Sequence, residues 1–161
     1  MISPFSQYLA EVFDQPYPLR VHSMRGAGKR TQGIYYTART DTADRLDIEI
    51  SEWGGVGRWR IDFTVNQSID MTHAGKPWRI LATVMDAVKK FMEWHRLKIG
   101  TAEHPYPEEF VISFSSSDFS RYKAYTAMIR RFAHKYRYIV GSAVDDDDMG
   151  ETVITLERQK S

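Results

Sequence analysis

The sequence predicts an α/β (α+β) fold, a mixed and mainly antiparallel sheet with two long helices. Three observations predict it. Residues 45–51 and 58–65 alternate strictly between apolar and polar side chains, as half-buried strands do. Residues 77–98 and 118–136 carry apolar residues at spacings of three and four, as amphipathic helices do. Residues 110–114 read Phe-Val-Ile-Ser-Phe, too apolar for a strand with one wet face. The chain has 161 residues, enough to bury a core without disulfides or metals, and is read as a single domain over 1–161.

Each element has its own signal. Phe5, Tyr8, Leu9, Val12 and Phe13 predict a short amphipathic helix, entered through Pro4 and ended by Pro16 and Pro18. Residues 19–32 are basic and read as a poorly regular strand or loop. The first clear strand is near 33–38, with Ile34 and Tyr36 on one face. The second places Leu46, Ile48 and Ile50 inward, and the third Trp59, Ile61, Phe63 and Val65. Gly54, Gly55 and Gly57 supply the turn between them, so the three form an antiparallel meander. Glu49 and Arg60 are candidates to pair across it. Pro77 opens the first long helix, whose stripe is Leu81, Val84, Met85, Val88, Phe91 and Met92, and Gly100 stops it. Tyr106 sits between two prolines in a rigid loop. The strand at 110–114 belongs in the middle of the sheet. Ser117 or Asp118 caps the second long helix, whose buried stripe is Tyr122, Tyr125, Ile129, Phe132 and Ala133. A strand at 137–140, an acidic turn at 145–148 and a strand at 152–156 close the chain.

Composition narrows the function classes. The formal net charge is only +1, so the whole-chain charge favours no partner. Its distribution is uneven: residues 76–144 carry twelve Lys or Arg against six Asp or Glu. There is no cysteine, which excludes disulfides and thiolate metal sites and is compatible with a cytoplasmic location. No apolar run reaches the ~20 residues of a membrane span, and the first residues lack the pattern of a secretory signal.

The element order α-β-β-β-α-β-α-β-β resembles the GNAT acyltransferase superfamily over most of the chain. The best local match is Asp118-Phe119-Ser120-Arg121-Tyr122-Lys123-Ala124-Tyr125. Family members often have Asn, a small residue and Tyr at the positions of Asp118, Arg121 and Tyr125. The resemblance implies that Tyr125 is a general acid for a departing thiolate, a role that a neutral phenol can fill. A buried place on the apolar helix stripe accounts for Tyr125 equally. The resemblance also implies a pyrophosphate-holding loop before the first long helix, where His73, Gly75 and Lys76 stand here. This stretch departs from the family pattern: it has one glycine, and Pro77 has no N–H to donate. Acetyl-CoA is the cofactor if the chain is an active acyltransferase, with Asp47, Glu49 and Asp62 as candidate bases for the acceptor. The altered loop favours a GNAT-like protein that binds a macromolecular partner without acyl transfer. Residues 120–138 are also similar to uncharacterised phage-encoded proteins, which implies a host cytoplasm.

Two basic features are the candidate partner sites. The loop with Arg25, Lys29 and Arg30 fails as a nucleotide phosphate loop, because Ser23 stands where the first glycine is required and Arg30 follows the lysine. It remains able to touch phosphates or an acidic protein surface. On the second long helix Lys123, Ala127, Arg130, Arg131 and His134 lie opposite the apolar stripe, extended by Lys135 and Arg137, with Lys89 and Lys90 on the other helix. This face suits an acidic protein or single-stranded nucleic acid. A solvated helix face explains the same residues, and a homo-oligomer is compatible. The acidic run 145–148 lacks the Gly and Glu spacing of a calcium loop, and the five histidines show no ligand spacing, so no metal is expected.

Overall fold

The structure is a computed structural model that describes residues 15–25, 32–52, 57–66, 77–115, 122–146 and 151–159. In chain order the elements are β1 (Arg20–Arg25), β2 (Gln32–Arg39), β3 (Arg45–Glu52), β4 (Arg58–Val65), α1 (Pro77–Lys98), β5 (Glu109–Ser115), α2 (Tyr122–Tyr136), β6 (Tyr138–Asp146) and β7 (Glu151–Arg158). The strands form one sheet in the order β1-β2-β3-β4-β5-β7-β6. This is the mixed, mainly antiparallel sheet with two long helices that the alternation patterns predict. Among the described strands only β4 and β5 run parallel, which requires a long crossover, and α1 supplies it.

Alternation places the core. Ile34, Tyr36 and Ala38 of β2, Leu46, Ile48 and Ile50 of β3, and Trp59, Ile61, Phe63 and Val65 of β4 are all buried on one face. Both helices cover that face. Phe91 of α1 packs on Trp59 at 4.7 Å between ring centres, while Phe110 of β5 touches Phe91 at 5.9 Å and Phe132 of α2 at 6.4 Å. All six expected stripe residues of α1 are buried, as are Ile129, Phe132 and Ala133 of α2. Phe110, Val111, Ile112 and Ser113 are buried on both faces, as expected for a central strand. No helix among the described residues is long and apolar enough to cross a membrane.

Helix α1 begins at Pro77 and is closed by tight chemistry. The amides of Ile99 and Gly100 both donate to the His95 carbonyl, at 2.9 and 2.7 Å. A side chain at Gly100 would lie 2.4 Å from the Pro105 carbonyl oxygen, so only glycine allows the loop to return this close. The 15–19 segment runs along α1. There the Tyr17 amide donates to Thr83 Oγ1 at 2.8 Å, and the Arg79 guanidinium lies 4.1 Å over the Tyr17 ring and 2.9 Å from Asp41.

Two expectations need correction. Part of the basic stretch 19–32 is a regular strand, β1, paired antiparallel with β2. It is an edge strand whose apolar Val21 is 58% exposed, so it shows no burial alternation in sequence. Strand β6 also runs past residue 140, through Asp146, so Asp145 and Asp146 sit in the ladder opposite Thr152 and Glu151 rather than in a turn. Edge-strand pairing is made by the backbone and tolerates charged side chains. A register shift between Val140 and Ser142, at Gly141, hides the continuity. The expected helix over 5–13 and the cap at Ser117 or Asp118 lie outside the described residues.

Candidate partner-binding groove

The basic helix face is not a flat solvated surface, because α1 and α2 lie side by side with a groove between them. Its lining comes from Ala82, Met85, Asp86 and Lys89 on α1 and from Met128, Arg131, Phe132 and Lys135 on α2, with His134 and Pro16 beside them. Each helix contributes the spacing i, i+3, i+4, i+7, which aligns side chains along one helical stripe. The cavity volume is about 510 Å³. Ala82, Met85, Met128 and Phe132 make a nearly buried apolar floor, and Lys89, Arg131, His134 and Lys135 form an exposed rim. The one carboxylate in the lining, Asp86, is held by Lys90 at 2.7 Å, which neutralises it. The last-turn position of His134 and Lys135 is also favoured by the helix dipole, but Lys89 is in the middle of α1 and gains nothing from that source.

The expected residues are only partly brought together. Arg130 and Arg131 are both exposed on α2, with Arg131 on the groove and Arg130 next to it. Arg137 leaves the helix face. It follows α2 with φ of 59° and lines a separate concavity at the end of the sheet with His104 and Arg158. Lys123 and Tyr125 belong to the first turn of α2, but their side chains lie outside the described part. His73, Gly75, Lys76, Lys29 and Arg30 also lie outside it. Arg25 ends β1 at the far edge of the sheet, with β2, β3 and β4 between it and β5, so its strand does not adjoin the α2 groove.

The opposite, polar face of the sheet carries the carboxylates read as candidate bases. Asp47 accepts from the Tyr35 hydroxyl and, at 2.8 Å, from Arg45 Nε, while Arg45 also donates to the Tyr35 oxygen at 2.8 Å. Loss of solvent, reinforced by Asp47, raises the Tyr35 phenol above its ordinary value, so it stays protonated. Asp62 is paired along its own strand with Arg60 at 2.9 Å. Glu49 is exposed and lies directly opposite Asp62, not Arg60, which faces Ser51. No group of three or more His, Asp or Glu among the described residues is placed to hold a metal.

Sequence reasoning identified the cations of the groove and placed Met85 and Phe132 on buried stripes, but missed Ala82, Met128 and the groove they share. Met128 fits the stripe of α2 by spacing, whereas Ala82 and Met85 become a groove wall only because α2 lies alongside. Compared with protein-family models, curated proteins and solved structures, the chain matches none.

Proposed function

We propose that the chain is a GNAT-like protein that works by binding a macromolecular partner, an acidic amphipathic protein segment, in the α1–α2 groove, and that it does so without acyl transfer. The observation that carries this reading is the pairing of an apolar floor with a rim of Lys89, Arg131, His134 and Lys135. Such a groove suits a helix or strand with apolar residues on one side and carboxylates on the other. A single-stranded nucleic acid is less well served, because its bases need exposed aromatic platforms. No Phe, Tyr or Trp whose side chain is described is exposed.

The test is fluorescence anisotropy with two labelled probes, a helical peptide with Leu and Glu faces and a single-stranded dT oligonucleotide. The peptide should bind, weaken as salt rises, and lose about tenfold or more in affinity with Lys89→Glu/Arg131→Glu. Tighter binding of the oligonucleotide, or an unaffected double variant, would overturn the reading.

One observation favours an alternative, an acetyl-CoA-dependent acyltransferase. Strands β4 and β5 pair only between 58–61 and 109–112, and their C-terminal halves find no partner in each other. In a GNAT-like protein an extended cofactor would lie where these two strand ends do not pair. Calorimetry with acetyl-CoA separates the two readings. Low-micromolar binding, together with activity lost in Tyr125→Phe, would replace the non-catalytic reading by this one.

A further inference from the structure

On the polar face, at the sheet edge remote from α2, a concavity of about 740 Å³ is lined by Pro18, Leu19, Arg20, His22, Thr37, Ala38, Arg39 and Arg45. Three arginines from three different strands meet there, and none of the lining residues is acidic. The register shows how. Arg39 of β2 is the direct cross-strand partner of Arg45 of β3, and Arg20 of β1 lies opposite Thr37, two residues from Arg39. Directly opposed side chains stand about 5 Å apart at Cβ, so like charges in that position repel. Neighbouring carboxylates do not relieve this fully. Asp47 holds Arg45 at 2.8 Å, but among the described residues Arg39 donates to the Ala43 carbonyl at 3.3 Å without an ion-pair partner, and Arg20 has none either. His22 and the Thr37 hydroxyl, 3.1 Å apart, add further polar groups to the same concavity.

The geometry points to a binding site for a phosphoryl group carried by a small molecule, a phosphate ester or pyrophosphate. An oxyanion between the guanidiniums would turn the Arg39–Arg45 repulsion into attraction. A phosphoryl group has three peripheral oxygens and up to two charges, so it can accept from three guanidinium forks at once; a carboxylate has two oxygens and one charge. The volume is that of a small-molecule site. Pro18 and Leu19 give it an apolar wall for the organic part of an ester. This site is on the other side of the sheet from the helix groove and stands independently of the function proposed there.

The experiment is an NMR and calorimetric titration of the full chain with inorganic pyrophosphate, citrate and sodium chloride at matched ionic strength. Pyrophosphate should bind about tenfold more tightly than citrate and shift the amides of residues 19–22 and 37–39. Arg20→Ser/Arg39→Ser should weaken pyrophosphate binding at least about tenfold without lowering the melting temperature in chloride, since neither side chain is part of the core and the loss of Arg39 relieves repulsion. Equal responses to pyrophosphate and chloride overturn the site, as does unchanged binding in the double variant. Citrate binding as tight as pyrophosphate overturns the phosphoryl assignment. If the double variant fails to fold, the wild-type shift map decides: shifts confined to residues on the α1–α2 groove overturn the proposal, and shifts at 19–22 and 37–39 sustain it.

Discussion

His95 illustrates how one residue sets a pH response. It is 5% exposed, packed at the edges of Trp59 and Phe91, and its Nδ1 lies 3.0 Å from the Pro105 carbonyl. A carbonyl only accepts, so Nδ1 carries a proton. Burial lowers its pKa below the ordinary histidine value, opposed by the Pro105 bond and the Glu52 charge. The unfolded chain therefore binds a proton more readily than the folded one, and this contribution to stability falls as pH drops below about 6.5. Urea midpoints measured from pH 7.5 to 5 should decline, and His95→Phe should flatten that part of the decline. A slope that is unchanged in the variant would assign the effect to other groups. Five residues on, Gly100→Ala should cost about 1–3 kcal/mol, because the methyl group would collide with the Pro105 carbonyl that His95 also uses. Equilibrium denaturation measures it, and a neutral outcome would mean that the 100–105 loop moves aside easily.

At the scale of elements, α1 is the piece that joins sheet and groove. Its inner stripe is anchored by Phe91, fully buried against Trp59, Phe110 and His95. Phe91→Ala should therefore cost about 3–5 kcal/mol, through lost burial and the cavity left behind. On the same helix Leu97 is 64% exposed, so Leu97→Ala should stay within about 0.5 kcal/mol. Thermal or urea unfolding of the two variants gives the contrast directly. The α1 stripe was readable in the sequence because helical spacing alone selects its residues. The groove on its flank was not, because Ala82, Met85 and Lys89 become a wall only when a second helix lies beside them.

At the scale of the whole sheet, β4 and β5 share only four register pairs among the described residues. Residues 62–65 of β4 pair with β3 but not with β5. Backbone N–H groups of a strand point alternately to its two neighbours. Hydrogen exchange should thus find alternate protection over 62–65, with the amides directed toward β5 exchanging fast, while both sets are protected over 59–61. Uniform protection over 62–65 would show that these amides are all paired in solution, and the acyltransferase alternative would lose the observation that favours it.

The order of the elements from β2 onward, the inward faces of β2, β3 and β4 and the stripe of α1 were determined by the sequence itself. Burial imposes periods of two and 3.6 on apolar residues, and those periods survive in a linear string. The edge strands β1 and β6 were not legible in full, because backbone pairing at a sheet edge leaves little mark on side-chain pattern. The candidate sites depended most on the tertiary structure. Arg130 and Arg131 could be placed on one helix face from spacing, but their apolar floor is shared with α1. Arg20, Arg39 and Arg45 are scattered along the chain, and only the register of three strands brings them to one concavity. A local repeat is written in neighbouring residues, whereas a site made across elements exists only after the chain has closed on itself.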